Sequence, residues 1–494
     1  MTFLADLHIH SRYSRATSRD LSPEHLAFWA MKKGIQVLGS GDITHPEWFG
    51  ELREKLVESE SGLFVLRKDF QDSVDARVPP SCREKPRFLL SGEISCIYKK
   101  EGKTRKVHHL ILLPDMESGE KFRRRLGRIG NIASDGRPIL GLDSRALLEI
   151  ALEVHEKAFF IPAHIWTPWF SVFGSKSGFD SLEECFEDLT PHIHALETGL
   201  SSDPPMNRLL SKLDPYVLVS NSDAHSGAKV GREANIFDTE MSYDHMVAAM
   251  THGRGFQGTV EFYPEEGKYH LDGHRKCRIR YHPEETRAGG GLCPVCGRPL
   301  TVGVLHRVHE LSDRTEPRLS KMFLSLIPLA EVLSELLGCG AATKKVSLLY
   351  DRLVSKLGPE LRILMDLPPA RVEEAGGALL AEAIARMRAR NVVCEAGFDG
   401  QFGIIRLFRE DERNEIAGQT ALFASPDRES ASEAPGGLSA AEIPPRQVPE
   451  QKESSEKAPA ASYDPILGPL NEEQRGAVLH QGGDLLVVAG PGTG

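Results

Sequence analysis

The residues best equipped for chemistry are histidines and carboxylates that recur at similar places along the chain. They are His8-Ile9-His10, Asp42 with His45, Glu93, His108-His109, His164, Glu197 and Asp223-Ala224-His225. In His8-x-His10 and Asp223-x-His225 the i, i+2 separation puts both polar side chains on one face of a strand. Imidazole and carboxylate together suit zinc, manganese or iron better than calcium or magnesium. Several such ions about 3.5–4 Å apart can share a bridging carboxylate, activate a water and stabilise a leaving phosphate oxygen. Glu93 is the natural bridge, with Asp223 and His225 as its catalytic companions.

These residues sit where strands end. Apolar runs at 3–7, 35–38, 88–90, 110–113, 159–161, 193–196 and 216–219 are separated by segments with helical punctuation. Ser22-Pro23 caps a helix that Gly34 ends, and Asp143 or Ser144 caps one that runs to Val154. Seven strands with intervening helices predict a barrel-like α/β domain over 1–264, whose C-terminal strand ends converge on one face. A lone His-x-His is a weak signal, and His192 with His194, which precede a strand end, are read as structural. Marks on all seven strand ends point instead to a single cup. One connection differs: Lys99-Lys100-Glu101-Gly102-Lys103 is too short for a helical crossover and reads as a hairpin. If Glu101-Gly102 is a two-residue turn, Glu93 faces residue 110 and His108 shares its side of the ladder. A one-residue shift of the turn selects His109 instead.

A second metal pattern follows. His274-Arg275-Lys276-Cys277 and Cys293-Pro294-Val295-Cys296 form two knuckles, and three thiolates with one imidazole fit a structural zinc. His270 and His282 are alternatives for the fourth ligand. The pattern predicts a small zinc ribbon over 265–316, with Arg275 and Lys276 as candidate DNA-phosphate contacts. Residues 317–423 are expected to be mainly helical, with apolar spacing over 328–337, 344–357 and 371–390 and an extended piece at 397–408. Residues 424–462, rich in Ala, Ser, Pro and Glu and without an aromatic residue, read as a disordered linker.

Asp6-Leu7-His8-Ile9-His10-Ser11 and Ser222-Asp223-Ala224-His225, with Glu93 and His164, resemble the polymerase-and-histidinol-phosphatase family. The chain further resembles the endonuclease Q family. That likeness rests on 12–18, on Gly41-Asp42-Ile43-Thr44-His45-Pro46-Glu47-Trp48, on Ala163-His164-Ile165-Trp166-Thr167-Pro168-Trp169-Phe170, on 174–178 and on 197–204. It reaches to about residue 408. The resemblance implies a distorted seven-stranded β/α barrel with up to three metal ions, so two or three divalent ions (zinc, manganese or magnesium) are expected. It carries His8, His10, Glu93, His108, His164, Asp223 and His225 over as metal ligands. The wider family commonly has adjacent Asp-His after strand two. Here Asp42 and His45 are three apart, and both are kept as candidate ligands. The implied activity is hydrolysis of DNA on the 5′ side of a deaminated base (uracil, hypoxanthine or xanthine) or an abasic site. Trp166, Trp169, Phe170 and Lys176 are then candidate DNA contacts, the aromatic rings for receiving an extruded nucleotide.

The last segment, 463–494, resembles the opening of a superfamily-1 DNA helicase. Gln474 stands in an adenine-reading motif, and Gly490, Gly492 and Gly494 stand in a phosphate-cradling loop that lacks its lysine. The expectation is a shortened nuclease–helicase fusion unable to turn over ATP. The net charge of −10 does not exclude nucleic acid, because from residue 424 onward there are eleven acidic against five basic side chains. Between Lys268 and Arg314 the balance reverses to nine basic against five acidic. No apolar run suits a membrane span and no basic leader opens the chain, so a cytoplasmic protein is expected, with damaged DNA and the proteins of replication and repair as partners. Eight cysteines, three of them clustered, fit a reducing compartment with one structural metal rather than a disulfide framework. Two other readings remain: a small-molecule phosphatase of the histidinol-phosphate type, and a damage-binding module with a dead site.

Overall fold

The computed structural model describes residues 1–409 and residue 412. The expected linker at 424–462, the helicase-like segment and its Gln474, Gly490, Gly492 and Gly494 lie outside the described residues. Local chemistry sets the first elements. Ser22 accepts the amide of His25, Pro23 fills the first helical position and Gly34, at φ 86°, ends helix α1 (Pro23–Lys33). Asp143 caps the helix Ser144–Val154 by accepting the amide of Ala146.

The strands are β1 (Thr2–Asp6), β2 (Val37–Gly39), β3 (Leu56–Glu60), β4 (Leu63–Leu66), β5 (Arg87–Lys100) and β6 (Lys103–Leu113). They continue as β7 (Ile139–Leu140), β8 (Phe159–Pro162), β9 (Ala195–Glu197), β10 (Val217–Val219), β11 (Ala234–Asp238) and β12 (Phe256–Glu261). Beyond them come β13 (Asp272–His274), β14 (Ile279–Tyr281), β15 (Met322–Ser325), β16 (Val393–Glu395) and β17 (Ile404–Arg406). Every apolar run expected to be a strand overlaps one.

Their pairing does not close the expected distorted seven-stranded barrel. Among the described residues the ladder is an open, mixed, eleven-stranded sheet with the path β15–β12–β11–β1–β2–β5–β4–β3, where β6 and β7 pair with β5 and β8 pairs with β6. Strands β9 and β10 form a separate parallel pair of three residues each. Such short strands turn into loops before a ladder can reach both neighbours, so other groups span the seams. On one side Ile165 N–H donates to the carbonyl of Glu197 at 3.1 Å. On the other, Leu7 N–H donates to the Asn221 side chain at 2.8 Å and Ser222 N–H to the Asp6 carboxylate at 3.0 Å.

Inside this arrangement the inward faces of the strands, among them Leu89, Leu110, Ile161, Ala195 and Val219, make one apolar cluster, which Tyr243, Met246 and Met250 of the helix Tyr243–His252 complete. The same faces turn polar toward the strand ends, at Glu93, His108 and Glu197. An apolar floor therefore lies beneath a polar cup.

Strands β13 and β14 pair antiparallel in the ribbon segment. Strand β15 then returns to the main sheet, parallel to β12, a role that a mainly helical expectation missed. Helices Leu329–Leu337 and Lys344–Leu357 fall where the apolar spacing put them. The single helix expected over 371–390 is two, Pro369–Gly376 and Ala378–Arg388, because Gly377 adopts φ 89° and ψ 164° and interrupts the helical hydrogen bonding. The segment expected to be extended pairs β17 with β16. No helix among the described residues is long and apolar enough to cross a membrane.

A buried ion pair ties the helices to the sheet domain. Lys33 at the end of α1 donates to Glu360 at 2.6 Å, and both side chains are about 3% exposed. Glu360 also accepts from Tyr350 Oη at 2.8 Å and from Leu329 N–H at 3.0 Å. Removing one member strands the other in a low-dielectric interior. Glu360→Gln is therefore expected to lower the unfolding free energy by about 3–5 kcal/mol, read as a reduced urea midpoint.

Candidate functional site

The long β5–β6 hairpin sets the register on which the cup depends. Glu101 and Gly102 take φ 52° and 75° in a two-residue turn, so Glu93 pairs with Leu110 and Ser95 with His108. Glu93 and His108 consequently share a face. His109 points the other way, its Nε2 2.8 Å from Ser144 Oγ.

Glu93 is 1% exposed and divides its carboxylate between two groups of side chains. Its Oε1 lies 2.6 Å from His108 Nδ1 and 3.1 Å from His164 Nε2. Its Oε2 lies 3.3 Å from His10 Nε2 and 3.5 Å from His8 Nε2. Asp223 Oδ1 completes this second group, 2.9 Å from His10 Nε2 and 3.8 Å from His8 Nε2. Within each group, His8–His10–Glu93–Asp223 and Glu93–His108–His164, the ligand atoms lie within 4.8 Å of one another.

The donor set fits divalent cations. The fully buried Nε2 of His8 has no hydrogen-bond partner, although it faces two carboxylates. The Nδ1 atoms of His8 and His10 are each committed to a carboxylate behind them. His8 Nδ1 is 3.0 Å from both oxygens of Glu197, and His10 Nδ1 is 3.1 Å from Asp42 Oδ1. A carboxylate on one imidazole nitrogen turns the other nitrogen toward a metal and makes it more basic. Burial opposes charge on His8 and His10, but Glu197 and Glu93 around the first, and Asp223, Asp42 and Glu93 around the second, hold both rings well above their usual range. Burial likewise opposes ionisation of Glu93, which His108, Arg137 and His8 outweigh, and of Asp223, which His10, His8 and His225 outweigh. His108 is the exception, since burial pushes it down to about 4 despite Glu93.

Other expected site residues stand elsewhere. Asp42 joins neither group, because its Oδ2 already accepts from Ser11 N, Ser11 Oγ and Ser14 Oγ while Oδ1 holds His10. His45 is the N-cap of helix α2 (Pro46–Lys55), with Nε2 3.2 Å from the Ala133 carbonyl. His225 stands at the rim, 32% exposed, its ring 4.5 Å from that of His10 and outside both groups. Trp166, expected at a DNA-contacting surface, is buried instead: it is 1% exposed, packs 5.0 Å from Phe173 and donates to Asn207. Trp169 remains 40% exposed, edge-on to Tyr269 at 5.7 Å, and Phe170 lies 4.7 Å from His108. Lys176, Arg275 and Lys276 are exposed.

Residues without a spacing signal complete the cup. Asn221 donates to Glu197 at 2.8 Å, Ser11 and Ser14 hold Asp42, and Arg137 reaches Glu93 at 3.0 Å from a loop. Three cup residues, Asp42, His164 and Asp223, adopt positive φ of 48°, 29° and 46°. Non-glycine residues take that conformation only where the surroundings impose it, commonly at functional sites.

In the ribbon, ligand atoms of His274, Cys277, Cys293 and Cys296 lie within 4.8 Å of one another. Of the alternatives, His270 is buried apart from them and His282 begins the helix Pro283–Ala288. Gly297, at φ 69°, returns its N–H to the Cys293 carbonyl at 2.8 Å and so closes the second knuckle. Burial would raise the Cys293 thiol, but the amides of Cys296 and Val295 pull it down to about 6, which favours a thiolate ligand.

Several known proteins are similar to this chain. The family model for the MJ0043 C-terminal domain matches residues 328–391. The chain is 31% identical over 271 residues to the uncharacterised protein MJ0043 of Methanocaldococcus jannaschii, covering 51% of this chain and only 33% of that protein. It is 30% identical over 421 residues to the uncharacterised protein YqxK of Bacillus subtilis, covering 81% of this chain and 98% of YqxK. Among solved structures it matches the lesion-specific endonuclease PfuEndoQ of Pyrococcus furiosus, with TM-score 0.71, 30% identity, and 84% and 99% coverage of the two chains. An endonuclease Q bound to a 27-mer duplex substrate with an abasic lesion at its active site matches with TM-score 0.71, 31% identity, and 83% and 98% coverage.

Two measurements test the two candidate metal sites separately. Glu197→Gln is expected to weaken divalent-ion binding at the cup by about 10–100-fold, read by titration calorimetry, because His8 loses its charged partner. Cys293→Ser is expected to release about one zinc per chain in elemental analysis while the sheet domain keeps its circular dichroism.

Proposed function

The chain belongs to the endonuclease Q family, and on that footing we propose that it is a metal-dependent DNA endonuclease. Its substrate in this reading is duplex DNA carrying uracil, hypoxanthine, xanthine or an abasic site, hydrolysed at the phosphodiester 5′ of the lesion. The observation that carries the reading is the carboxylate of Glu93, one oxygen turned to each of two ligand groups. Divalent ions held there would activate a water and neutralise charge on the phosphate.

The chain's own residues supply position. Glu93 holds the two ligand sets within one carboxylate's width, and Asp223 closes the first of them. Glu197 and Asp42 aim the Nε2 atoms of His8 and His10 into the cup. His225 offers its ring at the rim, within reach of a phosphate. An extruded nucleotide needs apolar surface, which Phe170 provides beside His108 and the next residue, Trp169, provides edge-on to Tyr269. The exposed Lys176, Arg275 and Lys276 suit contacts to flanking phosphates, and a zinc at His274, Cys277, Cys293 and Cys296 would keep the ribbon's basic residues in place.

Asp223→Asn preserves the side chain's size and removes the charge that completes the first group. Its cleavage rate is expected to fall by several orders of magnitude, each ~1.4 kcal/mol of lost transition-state stabilisation being tenfold, while binding of damaged duplex persists. The wild type with manganese, magnesium or zinc should nick end-labelled duplexes carrying hypoxanthine, uracil or an abasic site and spare an undamaged one. Release of phosphate from histidinol phosphate with every damaged duplex left whole would replace this reading with a phosphatase. Selective binding without turnover of either would leave a binding module.

A further inference from the structure

The mouth of the cup carries a fixed cation that belongs to neither ligand group. Arg137 belongs to the loop Ser134-Asp135-Gly136-Arg137-Pro138, which follows no strand end, yet its backbone is pinned on every side. Gly136 N–H donates to the Tyr13 carbonyl at 2.9 Å, and Ser95 N–H donates to the Pro138 carbonyl at 3.0 Å. Asp135 Oδ1 accepts from the amides of Arg15 at 3.3 Å and Arg137 at 3.2 Å. A Cβ on Gly136 would stand 2.2 Å from Asp42 Oδ2 and 2.4 Å from Ser14 Oγ, so the loop lies directly on the carboxylate that orients His10. Pro138 further narrows the backbone freedom of Arg137.

The side chain leaves this anchored base and enters the cup. Nη1 donates to Glu93 Oε2 at 3.0 Å, and the side chain is 25% exposed. Its Nε and Nη2 make no hydrogen bond among the described residues. The guanidinium therefore sits on the same Glu93 oxygen that His10 and His8 face, and it is partly open to solvent there.

Charge balance says what this arm is for. Two divalent cations would already match the four carboxylates of the cup, Glu93, Asp223, Glu197 and Asp42, so the further positive charge of Arg137 is left to be answered by an arriving anion. An arginine keeps its proton and presents N–H groups in a plane that matches phosphate oxygens. Resting on the endonuclease reading, we propose that Arg137 grips a nonbridging oxygen of the scissile phosphate and stabilises the charge that builds there. Water forms the new O–P bond and gives up a proton, the ester O–P bond breaks with its electron pair on the departing sugar oxygen, that oxygen takes up a proton to become a hydroxyl, and Arg137 retains all its protons throughout.

The test compares wild type, Arg137→Ala and Arg137→Lys under single turnover on a lesion duplex. The same duplex is also made with a neutral methylphosphonate at the scissile position. Removing one preorganised donor costs about a hundred- to a thousandfold in rate, and that loss is expected for Arg137→Ala, with metal content by elemental analysis unchanged. Arg137→Lys should recover part of it, since an ammonium restores charge without the fork. The penalty for the neutral linkage, large in wild type, should shrink in Arg137→Ala because the group that reads the charge is gone. Wild-type rates in Arg137→Ala, an undiminished methylphosphonate penalty, or metal loss that accounts for the activity loss would each overturn the proposal and leave Arg137 as a counter-ion to Glu93. If wild type leaves every lesion duplex whole, it is the endonuclease reading that fails. The phosphate grip is then read on bis(4-nitrophenyl) phosphate, where hydrolysis by Arg137→Ala equal to that by wild type overturns it.

Discussion

A carboxylate with no access to water must have its charge answered on every side, and Glu93 is answered by five groups. Four imidazoles and one guanidinium surround its two oxygens at 2.6–3.5 Å. Isolated in a low-dielectric interior, such a charge would cost several kcal/mol. Its neighbours arrive from β6, from the ends of β1 and β8, and from the loop before β7, so the folding of those elements and the ionisation of Glu93 depend on one another. The cup is then a place where the fold is poised electrostatically even before an ion enters, with ligand atoms already drawn together.

This dependence explains which parts could be read from the sequence. Strand-end histidines and acids are visible because strands end at fixed points of an alternating pattern, and the turn at Glu101-Gly102 sets the β5–β6 register that separates His108 from His109. Interactions made behind a residue leave no such trace. Asp42 is an acid at a strand end like the others, yet it turns away from the ligand groups because Ser11 and Ser14 claim its outer oxygen. His45 follows it by three residues and is taken by the start of α2. Trp166 follows a ligand, but the chain reverses after His164 and the indole is drawn into the core beside Phe173. Arg137 lies on a loop between elements, where no periodicity marks it.

The larger architecture divides in the same way. Apolar runs located the strands, but no run could reveal that β9 and β10 are too short to complete a hydrogen-bonded barrel. Nor could apolar spacing reveal that β15 leaves a helical region to pair beside β12, since strand pairing across sixty residues is a tertiary event. In the helical region, spacing over 371–390 is continuous while the backbone is not, because two glycines carry no apolar signal and one of them adopts a non-helical conformation.

The open seam and the cup are joined by one side chain. Asn221 accepts from Leu7 N–H and from Asn235 Nδ2, both at 2.8 Å, and so stitches β10 to β1 where the ladder stops. Its own amide donates to Glu197 Oε1 at 2.8 Å, on the carboxylate that orients His8. Glu197 also accepts the amide of His164 at 2.9 Å, which reaches the second ligand group. A regular ladder at this seam would satisfy backbone groups only with one another and could not extend to a ligand. A side-chain amide in its place satisfies the backbone on one side and a buried carboxylate on the other. Leaving the ring incompletely paired therefore lets the residues that hold it together also aim His8, so a change in strand spacing at the seam would be felt first at the His8 nitrogen that faces Glu93 and Asp223.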